Sequence, residues 1–401
     1  MSRPLVGWLG ARLALGVVLA LGTATSSVAQ QIRLLVPLDS LVERARRDSL
    51  DAPVLYDAAL GYWVHKQFAP ADSLLRRAVQ IEPRYAPAHL ALAYLPFAER
   101  RKLWDEEDKG KVPEEWRERL SRSYHHYRRA FLIDPMVDLK VIGLAIPPRG
   151  KLTIGRNINN YYASIILGIE QFWGGNYPAA FSLLDQAVRQ TPEEKRAKEL
   201  PDYLLWLHGL AGAHLDRYDI AIGNFQMMLD RRIDKGKEDS VTAATQLRDN
   251  DLRYVLATLK HKSGSFSEAT RLLQQVLEID LSFDMAHSQL ADIHERNRRW
   301  DDAIAERRRA IETNAEDASL LYDLGMSLAK ARRFREAIEP LQQAIAANPL
   351  NARIPYTLSQ VQVALGDTTA AVVSLRKFAQ IAPSRFEPQL KAAEAKYGPL
   401  R

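Results

Sequence analysis

A residue pattern recurs every 34 positions through the back half of this 401-residue chain. Aromatic side chains stand at Phe266, Trp300 and Phe334, and alanine follows each three residues later, at Ala269, Ala303 and Ala337. Seven residues further on come Val276, Ala310 and Ala344, and Pro349 and Pro383 keep the same step. A fixed period of this size means stacked copies of one supersecondary unit. Each copy buries its apolar face only against its neighbours. Such a chain grows as a solenoid, and its working surface is a long groove rather than a reaction centre.

Each unit reads as two amphipathic helices joined by a tight turn. In the best copy, residues 318–351, Leu321, Leu324, Gly325 and Leu328 recur at helical spacing and mark the first helix. Arg332-Arg333-Phe334 forms the turn, and Ala337, Leu341 and Ala344 line the inner face of the second helix. Asn348-Pro349 ends it, because proline cannot continue a helix and restrains the residue before it. Gly325, Ala337 and Ala344 are small for a packing reason: helices approach to about 8 Å only where the contacting side chains are small.

These positions resemble the tetratricopeptide repeat family, whose pattern runs through Leu-Gly or Leu-Ala, aromatic positions, alanines and a closing proline. The resemblance implies an all-α fold: an α-solenoid, the TPR superhelix, of about eight helix-turn-helix repeats with a C-terminal capping helix. The rear copies fall at 250–283, 284–317, 318–351 and 352–385. The front copies fall at 52–85, 86–137, 161–194 and 202–235. The interval from Pro83 to Pro135 exceeds one repeat, so 86–137 carries a charged insert, with Trp104 and Trp116 bracketing Asp105-Glu106-Glu107-Asp108. Residues 30–51 supply an N-terminal cap, with an amphipathic helix at about 38–47; 236–249 link the two blocks; 386–401 hold the capping helix and tail. The stretch from Val141 to Pro148 is expected as a short hairpin.

Ahead of the repeats, Arg3 and Arg12 precede an apolar run from Leu13 to Leu21, and Ser27-Val28-Ala29 supplies small residues before Gln30. That order is the layout of a secretory signal, expected at 1–29 with cleavage after Ala29. Its apolar core is shorter than the roughly twenty residues needed to cross a bilayer. Nothing later is long and apolar enough to span, so no integral membrane span is expected after signal removal. The expected location is periplasmic or secreted. The absence of cysteine excludes disulfides, thiolate metal sites and cysteine nucleophiles. A net charge of +6 is mild for this length and argues against nucleic acid as a partner.

In the family the first helices line the concave face. Carried onto this frame, the front groove is apolar and aromatic: Tyr56, Trp63, Tyr94, Tyr162, Phe172, Trp173, Tyr203 and Trp206. A helix that is apolar all round must be covered on both sides. Either the irregular stretches, Val141 to Ile146 above all, fold back into the groove, or it is a cleft for an apolar peptide, a partner helix, or a glycan stacked on Trp63, Trp173 and Trp206. The rear groove is more polar, with Tyr254, Tyr322 and Tyr356 at one repeat position and His261, Asp292 and Gln360 nearby. Such a ladder suits an extended backbone, or it packs repeat boundaries. Some family members clamp a C-terminal carboxylate with lysines and asparagines; here those places hold Tyr322, Met326, Tyr356 and Gln360, which does not support a clamp.

Motifs for chemistry fail one by one. His294-Glu295 begins a zinc-protease helix motif, but Arg298 stands where the second histidine belongs. Gly150-Lys151 is followed by Leu152 and preceded by Ala145 where a phosphate loop needs glycine. His287 and His294 share a helix face but are too few for a tetrahedral metal site. The runs Arg298-Arg299, Arg307-Arg308-Arg309 and Arg332-Arg333 either build a positive patch or are solvated faces interleaved with Asp301, Asp302, Glu306 and Glu312. The expected function is therefore a non-catalytic scaffold of the bacterial cell envelope. It would bind a protein or peptide partner in the concave groove, without a cofactor. The alternative is a glycan-handling module assisting polysaccharide export. An enzyme would have to draw on Asp105 to Asp108 with His125 and His126.

Overall fold

Helices joined in pairs by tight turns make up the chain. The computed structural model describes residues 37–401 except 101, 104, 105, 107–109, 146–159, 235–246 and 316. The leader at 1–29, Trp104 and most of its acidic run, the end of the stretch from Val141 to Pro148, and most of the linker lie outside the described residues. The front helices are α1 (Leu38–Arg47), α2 (Ala52–Val64), α3 (Phe68–Ile81), α4 (Ala86–Glu99), α5 (Glu114–Ile133), α6 (Lys140–Ala145), α7 (Asn160–Trp173), α8 (Tyr177–Arg189), α9 (Glu193–Glu199), α10 (Asp202–Ala213) and α11 (Tyr218–Asp234). The rear helices are α12 (Asp249–Lys262), α13 (Phe266–Ile279), α14 (Asp284–Arg296), α15 (Trp300–Thr313), α16 (Ala318–Lys330), α17 (Phe334–Ala347), α18 (Arg353–Ala364), α19 (Thr368–Ile381) and α20 (Glu387–Tyr397). The all-α expectation holds, and the helices pack as helix-turn-helix pairs.

The turn inside each pair is the same device. Arg333 N–H reaches back to Leu328 O at 2.9 Å, Asp367 N–H to Gln362 O at 2.9 Å and Ser265 N–H to Lys260 O at 2.8 Å. This long back-bond needs one residue in the left-handed region just past the helix end. Gly264, Arg298, Arg332 and Gly366 supply it, with φ of 85°, 57°, 59° and 81°. Of these four rear turns two use glycine and two use arginine, which carries a Cβ penalty there.

Within a pair, close approach depends on a small residue in the first helix. A Cβ on Gly325 would stand 2.5 Å from Leu341 Cγ; one on Gly168 would meet Leu184, and one on Gly209 would meet Phe225, each at 2.8 Å.

The chain divides into two compact units that do not follow its linear order. Among the described residues, the first holds 37–38, 60–72 and 86–272, and the second holds 39–59, 73–85 and 273–401, so the boundary runs through α1, α2, α3 and α13. In the first unit the segment expected as a hairpin is instead the short helix α6. Asp138 Oδ1 accepts from Lys140 N–H at its start, and Val141, Ile142 and Ala145 are buried. It packs against α4 and α7, and such a short helix exists only by virtue of that packing. Phe131 of α5 meets Trp206 of α10 at 5.4 Å between ring centroids, and Trp206 stacks on Phe225 at 4.8 Å. Further along α5, the Arg128 guanidinium grips both oxygens of buried Asp251 at the start of α12.

In the second unit, Leu321, Leu324 and Leu328 of α16 pack with Leu341 of α17 and Ile354, Leu358 and Val361 of α18. α20 covers the last pair through Leu390 and Ala393, which cluster with Leu375 and Phe378 of α19.

Two substitutions test these packing rules. Gly325→Ala should destabilise the protein by about 1–3 kcal/mol, because the new Cβ overpacks the Leu341 contact. Arg332→Gly should stabilise by about 1 kcal/mol, because it relieves a left-handed φ. Thermal and urea unfolding check both; a neutral Gly325→Ala would contradict the close approach.

Candidate functional site

The aromatic side chains expected to line the front groove are mostly core. Trp63 and Trp206 are each only 3% exposed, and Phe172 and Tyr203 are buried as well. Tyr254, the first rung of the rear ladder, is also buried. The groove assignment of these five is corrected. For Trp206 the reason is explicit: Phe131 and Phe225 cover it. Tyr94 is half-buried against Tyr127, Trp173 is half-buried, and only Tyr162 among the front residues is well exposed, at 48%. Tyr56 is half-buried and meets Tyr85 edge-on at 5.8 Å; His261 meets Phe266 edge-on at 5.4 Å. Among the rear residues, Asp292 and Gln360 are exposed and Tyr322 and Tyr356 half-exposed. The tyrosines also serve the repeat seams: Tyr322 Oη lies 3.3 Å from Thr357 Oγ1, and the Tyr356 ring meets Phe378 at 4.9 Å.

The rear face has a feature that reading by residue type missed. Stepping by 34 places Arg307 at the position of Leu273, Leu341 and Leu375, all of which are buried. Arg307 is buried too, at 5% exposure. Its guanidinium donates to Ser288 O at 3.0 Å, Ser327 Oγ at 3.1 Å, Glu295 Oε1 at 3.1 Å and Asp292 Oδ1, with Asp323 at 3.8 Å. Ser327 stands where other repeats carry Ile293 and Val361, and Glu295 where they carry Ala329 and Val363. One repeat has exchanged its apolar seam for an ionic cluster. Burial alone would raise the Glu295 carboxyl, but hydrogen bonds from Lys330, Ser327 and Arg307 outweigh it and hold it below the usual range. The same holds at Glu306, where burial is opposed by the hydrogen bond from His287 and by Arg309. The cluster reaches solvent through Asp292 and Lys330, whose side chains are about half-exposed.

In the arginine runs, Arg299, Arg309 and Arg333 are each engaged by neighbouring side chains. Arg299 donates to His294 and lies 3.7 Å from Asp302; Arg309 pairs with Glu306; Arg333 pairs with Asp301 at 3.0 Å and with Glu336. His287 Nδ1 lies 2.7 Å from Glu306 and its Nε2 3.2 Å from Leu281 O. Of the insert acids only Glu106 is described, paired with Arg100, while His126 Nδ1 lies 2.9 Å from His89 Nδ1. Among the described residues no three His, Cys, Asp or Glu side chains cluster closely enough to hold a metal ion. No helix among them is long and apolar enough to cross a membrane.

Beside the ionic cluster, still within the second unit, lies a cleft of about 220 Å³. Tyr322, Asp323, Ser319 and Arg353 line one side, and Glu82, Pro83 and Arg84 the other. Arg84 pairs with Asp323. Burial opposes its charge, but Asp323 and Asp317 prevail and keep the guanidinium pKa above its ordinary value.

With this geometry in place, the similarities to known proteins can be set beside it. The tetratricopeptide repeat profile matches residues 254–318 and 322–385. The matched residues fall in α12 to α19, the stretch that carries the ionic cluster. Among solved structures it is similar to MamA: one crystal structure is 20% identical over 47% of this chain and 97% of its own, with a TM-score of 0.36. The MamA fragment 41-end from Desulfovibrio magneticus RS-1 is 16% identical over 40% of this chain and 94% of its own, with a TM-score of 0.32. No curated protein matches the sequence.

The ionic cluster predicts a specific double result. Arg307→Ala should cost about 3–5 kcal/mol by stranding a buried carboxylate. Combining Arg307→Leu with Glu295→Ala and Ser327→Val, which copies the neighbouring repeats, should recover most of that in urea unfolding. Acid should then act on the two units in different windows. His208 of the first unit is pushed down to about 4 by burial, so the unfolded chain takes the proton first and stability falls as pH drops from 6.5 towards 4. Glu295 and Glu306 lie below their ordinary 4.5, so their contribution is full above that value and is lost as pH falls through the lowered pKa. Hydrogen exchange from pH 7 to 3 reads the order; loss of the second unit first would refute it.

Proposed function

We propose that this protein is a non-catalytic scaffold that binds a peptide segment or partner protein along the first helices of its rear repeats. Its place would be the bacterial cell envelope, after removal of residues 1–29. The observation that carries the binding reading is the character of α14, α16 and α18. They keep partly exposed Tyr322 and Tyr356 beside exposed Asp292 and Gln360, whereas Trp63, Phe172, Tyr203 and Trp206 of the front are spent on the core. Tyrosine beside hydrogen-bonding side chains suits a polypeptide, which offers apolar side chains and a backbone of donors and acceptors together. Glycan stacking on Trp63 and Trp206 is disfavoured, because both rings are buried.

The test is affinity capture from envelope extract with Tyr322→Ala and Gln360→Arg, using Gln342→Arg on the exposed side of α17 as control. Both rear-face variants should lose the captured protein at least tenfold while the control retains it. An unchanged captured set in all three sinks the binding surface. Export is checked separately: mature protein isolated from cells should begin at Gln30, and an intact Met1 terminus would refute the envelope assignment.

A further inference from the structure

The N-terminal segment of the second unit is held to the rear repeats by contacts unlike those between repeats. Where repeats meet, Leu324, Leu341 and Leu358 pack in an apolar seam. Where the N-terminal segment arrives, a set of polar contacts is made. Asn348 Nδ2 donates to Gln80 O at 3.2 Å and Ile81 O at 3.0 Å, satisfying carbonyls that the end of α3 leaves open. Arg385 pairs with Glu82 and lies 3.4 Å from Asp51. Ser384 donates its N–H and its hydroxyl to Asp48 Oδ1 at 2.8 and 2.6 Å. Arg84, on the turn after α3, completes the set at Asp323.

Asp323 belongs to the ionic cluster without being saturated by it: Arg307 donates its hydrogen bonds to Asp292, Glu295, Ser288 O and Ser327 and stands 3.8 Å from Asp323, whose side chain is 21% exposed and lines a cleft. At about 220 Å³ the cleft falls below the roughly 300–1,000 Å³ of sites that enclose a small molecule, which leaves room for a side chain. Its wall carries an aromatic ring, Tyr322, and a hydroxyl, Ser319, beside the carboxylate. That combination suits a guanidinium or ammonium group, by charge and by hydrogen bonding. The arginines of these pairs, Arg84 and Arg385, keep about 30% of their side chains exposed, so water and a competing cation can reach them.

We propose that the cleft beside Tyr322 is a recognition pocket for an arginine or lysine side chain of a partner peptide, with Asp323 as its anion, and that Arg84, from the opposite wall, pairs with that anion as an internal stand-in until a partner displaces it. This deepens the binding reading of the rear repeats and rests on it. A free partner must compete with a tethered occupant, whose effective concentration is in the millimolar range for a short flexible tether. Binding is therefore weak while the clasp is closed and strong once it opens.

The chain has no cysteine, so an engineered pair provides a clean lock. In Asp48→Cys/Ser384→Cys, made together with Asn348→Ala, oxidation ties the segment down and reduction leaves it loosened. The probe is a fluorescent peptide with the sequence of residues 79–88, followed by anisotropy, beside the same peptide carrying Arg84→Glu. The reduced protein should bind the native peptide at least tenfold tighter than the oxidised protein. The Glu peptide should bind neither form, and adding Asp323→Asn should abolish binding in the reduced form. Equal binding by both redox states, equal binding of the two peptides, or no binding at all overturns the proposal. Oxidised and reduced states are one polypeptide, so a folding defect common to both does not mimic the result. Capture from extract by the native protein, with this peptide test failing, would leave the scaffold reading standing and remove only the pocket.

Discussion

Close contact between the two helices of a pair is the constraint on which the rest of this structure depends. It is made at one repeat position, where Gly168 lies on Leu184, Gly209 on Phe225 and Gly325 on Leu341. The first helix must be small there because the second presents its bulk there, and Ala257, Ala291 and Ser359 hold the same place in other repeats. Everything periodic in the chain follows from that contact and from the left-handed turn beside it. A pair so assembled still exposes apolar surface on two sides, so the next pair, or α20 at the end, must cover it.

The repeats were legible because their contacts are local and repeated, and each copy restates the same pattern. Contacts made once were not legible. Arg128 reaches Asp251, Asn348 reaches the end of α3, and Arg84 reaches Asp323, each across a long stretch of chain and without any period to announce it. The grouping of 39–59 and 73–85 with the rear repeats, rather than with the front block, rests on such singular contacts. The stretch from Val141 to Ala145 was misread for a related reason. Its composition favours strand, but the surfaces of α4 and α7 decide its conformation.

Exposure was legible at the polar positions and not at most of the aromatic ones. Asp292 and Gln360 are exposed as their repeat positions imply. Trp63, Phe172, Tyr203 and Trp206 were assigned to the groove because the family frame points first helices inward. Large rings are also the best material for filling a core, and in this chain they do so. The most unusual residue of the rear face, Arg307, was visible in the sequence as one member of an arginine run. Its meaning lay in alignment by 34, which sets it beside Leu273, Leu341 and Leu375.

An arginine at a leucine position does something a fourth leucine does not. The repeats are similar enough that α15 offers much the same apolar face as α13, α17 or α19. Apolar seams alone therefore discriminate poorly between correct and slipped neighbours. Arg307 joins Asp292 and Glu295 of α14 to Asp323 and Ser327 of α16. At the equivalent places other repeats carry Thr258, Met326 and Gln360, or Val255, Gln289 and Thr357, none of which is a carboxylate. Placing α15 against any of those would bury a cation without its partner, at a cost of several kcal/mol. Net stabilisation from a buried pair is small, but the penalty for every wrong arrangement is large. The cluster thus fixes the order of three consecutive helices, and the same geometry leaves Asp323 at the edge of a cleft with charge to offer.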